Sequence, residues 1–173
     1  MKNIEYPYMP EGRSVVYVSA ENSFIKAAKE SAREQSTDML QPTGAVIVLG
    51  GEIVATGANN AFLAKNIWFR KKHQNGMCVR KMFNVPSGKG YWMCPGCVTN
   101  QNHAESTAAK RFIKSPKFKM GADIYLWGHW WCCKDCWDNM IKAGIKNVFL
   151  LENSEVLFKR GTEGNIIGHQ FDQ

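Results

Sequence analysis

The chain lacks any apolar run long enough to cross a membrane. Its longest apolar runs, residues 44–49 and 148–151, are the size of β-strands, whereas a membrane helix needs about 20 apolar residues. The first residues lack the apolar core of a signal peptide, and the chain has no internal repeat or low-complexity tract. With 173 residues, 45% of them hydrophobic, it has the composition of one globular domain. These absences favour a cytoplasmic protein without a membrane partner.

Negative charge is absent from one long stretch. No Asp or Glu occurs from Ile53 to Ala104, and this stretch alone holds a positive excess equal to the net charge of +7 for the whole chain. A solvated face normally mixes both signs, so a stretch of one sign favours a phosphate-bearing partner, either a nucleotide or a nucleic acid. A patch that only promotes solubility is the alternative. The basic residues are Lys65, Arg70, Lys71, Lys72, Arg80, Lys81 and Lys89.

The order of helix and strand patterns predicts an α/β protein. Helices are expected over 24–33 (capped by Asn22 or Ser23), 103–113 and 133–143, and strands over 44–49, 52–56, 122–127 and 146–151. Gly50-Gly51 joins the first two strands as a hairpin. This order predicts a three-layer α/β/α sandwich around one mixed sheet, with the last two strands parallel.

Three regions show no regular pattern. Residues 1–13 are interpreted as an extended arm, and the glycine-containing tail after Glu152 argues against a long final helix. The segment up to about Asn102 is expected to be an irregular loop, and loops of that length are usually functional or held in place by something. We therefore expect one domain over 1–173, with a basic, cysteine-bearing insertion at about 60–102.

Two short motifs place metal-binding residues at predicted helix starts. These are His103-Ala104-Glu105 and Cys133-Lys134-Asp135-Cys136. At a helix start, positions i and i+3 share a face, so both thiolates can bind one metal ion, and the helix N-terminus favours the thiolate form. One imidazole and two thiolates leave the fourth position of zinc open, as in catalytic sites. The spacing predicts His103, Cys133 and Cys136 as ligands of a catalytic zinc; a purely structural zinc is the alternative.

Glu105 follows His103 by two residues, a spacing that differs from that of helical metalloprotease motifs. Residues i and i+2 of a regular helix do not share a face, so His103 is expected at the helix entrance, before the backbone becomes regular. Glu105 would then lie beside the open position without binding the metal. As a general acid/base it would take a proton from water and return it to the substrate.

This pattern resembles the signature of the zinc cytidine/deoxycytidylate deaminase superfamily, H-x-E followed by P-C-x-x-C. The resemblance covers about residues 24–151 and includes residues 44–47, 57–59 and 143–148. It implies the cytidine-deaminase-like fold, hydrolytic removal of an amino group from a nucleobase, a catalytic Zn²⁺ and a homo-oligomer of unspecified size.

The resemblance also implies roles for individual residues. Asn59 takes the position of the family's sugar-binding asparagine, and Ala104 is expected to contact the substrate with it. Cys132 stands where the family has proline; Cys133 is preferred as the ligand because it preserves the C-x-x-C spacing, and Cys132 is interpreted as a small buried residue.

The basic insertion contains a second group of ligand-type residues: His73, Cys78, Cys94 and Cys97. In a reducing compartment, clustered cysteines more often bind metal than form disulfides, and residues 93–97 resemble a zinc-knuckle turn. A closed four-ligand site would order so long a segment. Some deoxycytidylate deaminases carry a second, structural zinc in a similar insertion, so the resemblance agrees. Free thiols with an exposed His73 are the alternative.

Aromatic residues precede the second motif. Trp127 ends a predicted strand and is expected in the core, whereas Trp130 and Trp131 lie in the loop before the cysteines. Aromatic rings beside a base pocket can stack on the base, so these two are predicted pocket walls, with Trp131 as a substrate-binding residue. His129 between them is interpreted either as a phosphate contact or as an ordinary polar loop residue.

Three functions are compatible with the sequence. The long insertion between residues 57–59 and His103 resembles the dCMP deaminase branch, and predicts deamination of dCMP or CMP to the uracil nucleotide plus ammonia, with the basic segment holding the 5′-phosphate. The concentrated positive charge also fits an RNA or DNA deaminase, such as a tRNA deaminase. A zinc-stabilised nucleic-acid-binding module without catalysis is the third alternative.

Overall fold

The structure, a computed structural model, describes residues 7–38, 41–61, 66–85 and 90–172. The strands are β1 (Val15–Val18), β2 (Gly44–Leu49), β3 (Glu52–Ala58), β4 (Ala122–Trp127) and β5 (Ile145–Leu151). The helices are α1 (Ser23–Gln35), α2 (Ile67–Gln74), α3 (Val79–Met82), α4 (Ala104–Ile113), α5 (Lys134–Lys142) and α6 (Ser154–Phe158). Short 3-10 turns occupy Tyr91–Met93 and Asn100–Asn102.

The five strands form one mixed sheet in the order β1-β5-β4-β2-β3. β2 is antiparallel to both β3 and β4, while β4, β5 and β1 run parallel. The predicted hairpin and the predicted parallel pair are therefore confirmed, with α5 as the connection between β4 and β5.

The sheet buries both of its faces, because alternate residues of a strand point to opposite sides. On β2 and β4, Ala45, Ile47, Ile124 and Leu126 pack towards α4 and α5. Their neighbours Val46, Val48, Tyr125 and Trp127 pack towards α1. The two apolar clusters make three layers, helix on sheet on helices, as the sequence predicts.

Two strand glycines allow the helices to approach the sheet closely. A Cβ atom on Gly57 would lie 2.4 Å from the Ala108 nitrogen and 2.5 Å from the Ala104 carbonyl oxygen. On the opposite face, a Cβ atom on Gly44 would lie 2.1 Å from the carbonyl oxygen of Ala28 in α1. The glycine of β3 thus fixes the position of the first turn of α4, where the first motif lies.

The sequence reasoning missed β1. This four-residue edge strand pairs with β5 from Val15 opposite Val148 to Val18 opposite Leu151, directly after the predicted arm. Val16 and Tyr17 are exposed, so β1 has no alternation of buried and exposed residues. Other boundaries move slightly: Asn22 caps α1, its Oδ1 accepting from the Phe24 and Ile25 nitrogens at 3.0 and 3.2 Å, and β3 continues to Ala58.

The expectation of one irregular loop before Asn102 is wrong. The segment contains α2, α3 and both 3-10 turns. Of its basic residues, Lys65 and Lys89 lie outside the described residues, as do residues 1–6 of the arm. The tail forms only the five-residue α6, in agreement with the prediction of no long final helix. Within the described residues, no helix has the length and apolarity to cross a membrane.

Candidate active site

Two of the predicted zinc ligands lie immediately before helices on the same face of the sheet. His103 is the N-cap of α4 (φ −64°, ψ 157°), and Cys133 is the N-cap of α5 (φ −71°, ψ 163°). Both backbones are extended at these positions, as the two-residue spacing between His103 and Glu105 requires. Because α4 and α5 pack on each other, their N-termini bring the two motifs together.

The three predicted ligands form a compact donor set. His103 Nδ1 lies 3.7 Å from Cys133 Sγ and 3.5 Å from Cys136 Sγ, and the two sulfurs are 3.3 Å apart. Tetrahedral zinc with ordinary bond lengths places such donors roughly 3.5–3.8 Å apart. Only the sulfur pair is closer, and the two sulfurs share a hydrogen bond. The residues therefore fit a zinc ion with one open position.

The three groups of the donor set shift one another's pKa values. The hydrogen bond between Cys133 and Cys136 lowers the pKa of Cys133 to about 5, although burial opposes this, and His103 contributes. That same hydrogen bond and burial raise the pKa of Cys136 well above its ordinary value. Burial opposes protonation of His103, but its hydrogen bond with Cys133 and the charge of Glu105 raise its pKa. Zinc binding would replace the protons that these three groups share.

Glu105 is buried beside this donor set without belonging to it. Glu105 is 4% exposed. The donor atoms that cluster for a metal ion come from His103, Cys133 and Cys136, and Glu105 is not among them. Burying a carboxylate is costly unless it has partners. One neighbour is Cys132: burial and the charge of Glu105 raise the pKa of this thiol well above its ordinary value, which keeps it neutral beside the carboxylate. Cys132 is buried in the core, as predicted.

The loop before α5 packs a histidine against an indole. His129 Nδ1 accepts a hydrogen bond from the Trp131 backbone nitrogen at 3.3 Å, and the two rings lie 5.4 Å apart edge to face. Burial, with the charge of His103, lowers the pKa of His129 to about 4. The ring is therefore neutral, and because Nδ1 accepts, Nε2 carries the hydrogen.

The three tryptophans have different surroundings. Trp127 is buried on the α1 side, as predicted, against Phe158 and Phe171. Trp130 packs against the same cluster, with Lys159 Nζ 5.0 Å from its ring centroid. Trp131 instead packs against the cluster that contains Cys133 and Cys136, so it is the indole on the side of the donor set.

Asn59 is buried at the end of β3 and holds a neighbouring segment. Its Oδ1 accepts from Ser36 Oγ at 2.6 Å and from the Thr43 nitrogen at 2.8 Å, and its Nδ2 donates to the Gln41 carbonyl at 3.0 Å. These bonds tie Ser36, after α1, to Gln41 and Thr43, before β2. Ala104 is fully buried at the first position of α4. The substrate roles of Asn59 and Ala104 stay predictions.

Two further residues at the site were missed by the sequence reasoning. Ser106 Oγ donates to Cys136 Sγ at 3.4 Å, and Asn139 Nδ2 donates to Ser106 Oγ at 3.0 Å. Asn139 follows Cys136 by three residues on α5, a spacing that places both on one helix face. Contact with Ser106 depends on how α4 packs on α5, which no local pattern reveals.

The second group of ligand-type residues also comes together. His73, Cys78, Cys94 and Cys97 place their donor atoms within 4.8 Å of one another. Cys97 Sγ lies 3.6 Å from both Cys78 Sγ and His73 Nε2. A Cβ atom on Gly96 would lie 2.4 Å from the His73 ring, so glycine is needed for the imidazole to lie against this turn. The four donors form a second candidate metal site, with all four tetrahedral positions available from the protein.

Hydrogen bonds tie the second site to the first. Asn100 Nδ2 donates to Asp135 Oδ2 at 3.0 Å, and Asp135 lies between the two cysteines of α5. Lys110 Nζ on α4 donates to the Gln101 carbonyl at 2.7 Å, and the Asn60 nitrogen donates to the Asn102 carbonyl at 3.0 Å. The segment after Cys97 is therefore anchored to both helices that carry the first site.

Residues 18–152 match the protein family described as the cytidine and deoxycytidylate deaminase zinc-binding region. This match spans most of the chain, and the protein belongs to that family. A comparison with curated protein sequences gives no match.

Several solved structures resemble the chain. The dCMP deaminase of cyanophage S-TIM5 in apo form is 25% identical, with a TM-score of 0.44, over 81% of this chain and 90% of the phage chain. The same enzyme in complex with dCMP and dUMP gives 23% identity, a TM-score of 0.45 and coverages of 75% and 80%. Guanine deaminase from Bacillus subtilis is 22% identical, with a TM-score of 0.42, over 76% of this chain and 64% of the Bacillus chain. Since these TM-scores are below 0.5, the family assignment depends on the sequence match.

Proposed function

We propose that the protein hydrolyses a cytosine nucleotide, dCMP or CMP, to the uracil nucleotide and ammonia. The observation that carries this proposal is a donor set of one imidazole and two thiol groups with an uncoordinated, buried carboxylate beside it. A structural zinc needs four protein ligands and no neighbouring acid/base group, whereas a hydrolytic site needs an open position and such a group.

The reaction adds water at C4 of the base and breaks the bond from C4 to the amino nitrogen. Zinc held by His103, Cys133 and Cys136 would supply the Lewis acidity that makes water a nucleophile near neutral pH. Glu105 takes a proton from water, delivers one to ring N3 and supports protonation of the leaving ammonia. The neutral Cys132 thiol lies beside the carboxylate, and the buried surroundings exclude bulk water.

The remaining assignments of the proposal concern binding and organisation. Asn59, Ala104 and Trp131 contact the sugar and base, and the basic insertion holds the phosphate. The chain acts in the cytoplasm as a homo-oligomer of one deaminase domain, residues 1–173, with the insertion at about 60–102. His73, Cys78, Cys94 and Cys97 bind a second zinc, because four closely spaced soft or borderline donors are the composition of a closed structural site.

A polynucleotide deaminase is the second candidate, and one observation favours it. The insertion exposes large aromatic side chains: Trp68 is 65% exposed, Phe83 69% and Trp92 82%. Exposed aromatic rings among cations, with no acidic residue from Ile53 to Ala104, are the composition of single-strand binding surfaces. A non-catalytic binding module would have no use for Glu105, and a buried carboxylate without a function destabilises the fold.

The test is ammonia release from the purified protein with dCMP, CMP, cytidine and a tRNA pool in parallel. Turnover of dCMP or CMP, only weakly changed between 50 and 200 mM salt, supports the nucleotide enzyme. Activity on tRNA alone, with an affinity that falls steeply over the same salt range, would overturn it in favour of the polynucleotide enzyme. No ammonia from any substrate by a zinc-loaded protein would favour the binding module.

A further inference from the structure

A fully buried serine hydroxyl contacts one of the two site cysteines. Ser106 follows Glu105 on α4 and has no exposed surface. Its hydroxyl donates to Cys136 Sγ at 3.4 Å. Asn139, one turn after Cys136 on α5, donates its amide Nδ2–H to Ser106 Oγ at 3.0 Å. The two bonds form a relay from Asn139 through Ser106 to Cys136 that joins α4 to α5.

The direction of this relay follows from what each group can donate. An amide nitrogen only donates, so Ser106 Oγ must accept from Asn139. The hydroxyl has one hydrogen of its own, and its acceptor role towards Asn139 leaves that hydrogen directed at Cys136. A serine hydroxyl without such a partner rotates to suit its surroundings. Asn139 therefore fixes which way Ser106 donates.

The two site cysteines differ in how they are placed. Cys133 is the N-cap of α5, outside the regular helix. Cys136 lies inside the first turn with no exposed surface, and its Sγ accepts the hydrogen bond of the Ser106 hydroxyl at 3.4 Å. A hydrogen bond is stronger away from water, so Ser106 restrains the more deeply buried of the two sulfurs.

We propose that Ser106 and Asn139 are positioning residues of the metal centre, which hold the Cys136 sulfur in its metal-binding orientation through this relay. The proposal rests on the proposed function, because it requires that His103, Cys133 and Cys136 bind zinc. Partners of metal ligands change metal affinity by about 10- to 100-fold when mutated. The relay makes Ser106 the direct partner and Asn139 the residue that acts through it.

The experiment measures the rate at which zinc is lost to excess chelator, without substrate. The relevant phase is the one that disappears in Cys133→Ser, which separates it from zinc bound elsewhere. In Ser106→Ala this phase should be about tenfold faster, and in Asn139→Ala a few-fold faster. Asn139→Asp keeps the size of the side chain but accepts the serine hydrogen, so its release rate should match that of Ser106→Ala.

Two comparisons exclude a merely structural role. Thr107→Val removes a hydroxyl from the next position of α4 and should release zinc at the wild-type rate. The double variant Ser106→Ala, Asn139→Ala should behave like Ser106→Ala alone, because coupled residues are not additive. In cobalt-loaded protein, the sulfur-to-metal charge-transfer bands should shift in Ser106→Ala and Asn139→Asp and stay unchanged in Thr107→Val.

The relay would be overturned if Asn139→Asp released zinc at the wild-type rate. It would also be overturned if the effects of Ser106→Ala and Asn139→Ala on the release rate added in the double variant. Asn139→Asp tests the relay even if Ser106→Ala fails to fold. A wild-type protein that takes up no zinc at this site would overturn both the relay and the proposed function. Zinc release that follows the expected order in a protein without deaminase activity would overturn only the proposed function.

Discussion

The described part of the molecule contains two candidate metal sites built on different principles. The first has three donors, a buried carboxylate beside them, and a position in the main core between α4, α5 and the sheet. The second has four donors, and the partly buried apolar side chains packed against its cysteines are Val79 and Tyr91. A core that already positions the ligands can leave one metal position open for chemistry, whereas a small unit with little apolar contact depends on its metal for order.

Loss of one ligand from each site should separate chemistry from structure. Cys133→Ser should abolish turnover, because the open site loses its metal, yet keep the fold, because the core around it persists. Cys97→Ser should keep the first site and much of the turnover but lose the second zinc. Ammonia release and zinc per chain measure both variants. Equal loss of turnover in the two variants would contradict this division of roles.

The second site should control local order in the insertion. In Cys97→Ser, limited proteolysis should cut within residues 66–102 much faster than in the wild type, because closed zinc sites supply folding energy to segments that lack a core. Mass spectrometry of the fragments locates the cuts. Cys133→Ser serves as the matched control, and cleavage at the same sites in both variants would show that the insertion does not depend on its own metal.

The two strand glycines offer a matched pair on opposite faces of the sheet. Gly57→Ala and Gly44→Ala each place a Cβ within 2.5 Å of helix backbone, and each should destabilise the fold by about 1–3 kcal/mol, measured as the melting temperature. Only Gly57→Ala displaces α4, so only it should also speed zinc loss from the first site. If the two variants lost zinc from the first site at the same rate while their melting temperatures differed, the role of Gly57 in fixing α4 would be contradicted.

The link between the sites should have the smallest effect. Asn100→Ala removes the exposed hydrogen bond to Asp135, and such a contact contributes less than about 1 kcal/mol. We expect the melting temperature to stay within about 2–4 °C of the wild-type value. Proteolysis of the insertion should increase modestly. Gln101→Ala, which keeps the carbonyl that accepts from Lys110, is the control. A large loss of turnover in Asn100→Ala would mean that the two sites are strongly coupled.

Local patterns in the sequence explain most of the fold and the ligand set. Short apolar, β-rich runs predict β2, β4 and β5, and the two motifs place His103 and Cys133 at helix starts, where the structure has them. β1 could not be predicted, since it is short, half-exposed and held by pairing with a strand more than a hundred residues away. The Ser106–Asn139 contact was missed because it arises only when α4 packs on α5.

The insertion shows a different limit of sequence reasoning. Its ligand residues were recognised from their type, and the structure brings all four together. Its helices were not recognised, because α2 and α3 are short and rich in basic residues, without a sequence periodicity that would reveal them. We propose that order in this part of the chain depends on the cysteine cluster, whose assembly no local pattern reveals.

The most direct test of the account is zinc content and ammonia release from dCMP for Glu105→Gln beside the wild type. Glutamine keeps the size of the side chain but cannot transfer the proton, so turnover should fall by about 10²- to 10⁴-fold while zinc per chain stays the same. A glutamine variant that keeps its zinc and turns over dCMP at the wild-type rate would contradict the central claim that Glu105 is the acid/base group of an open zinc site.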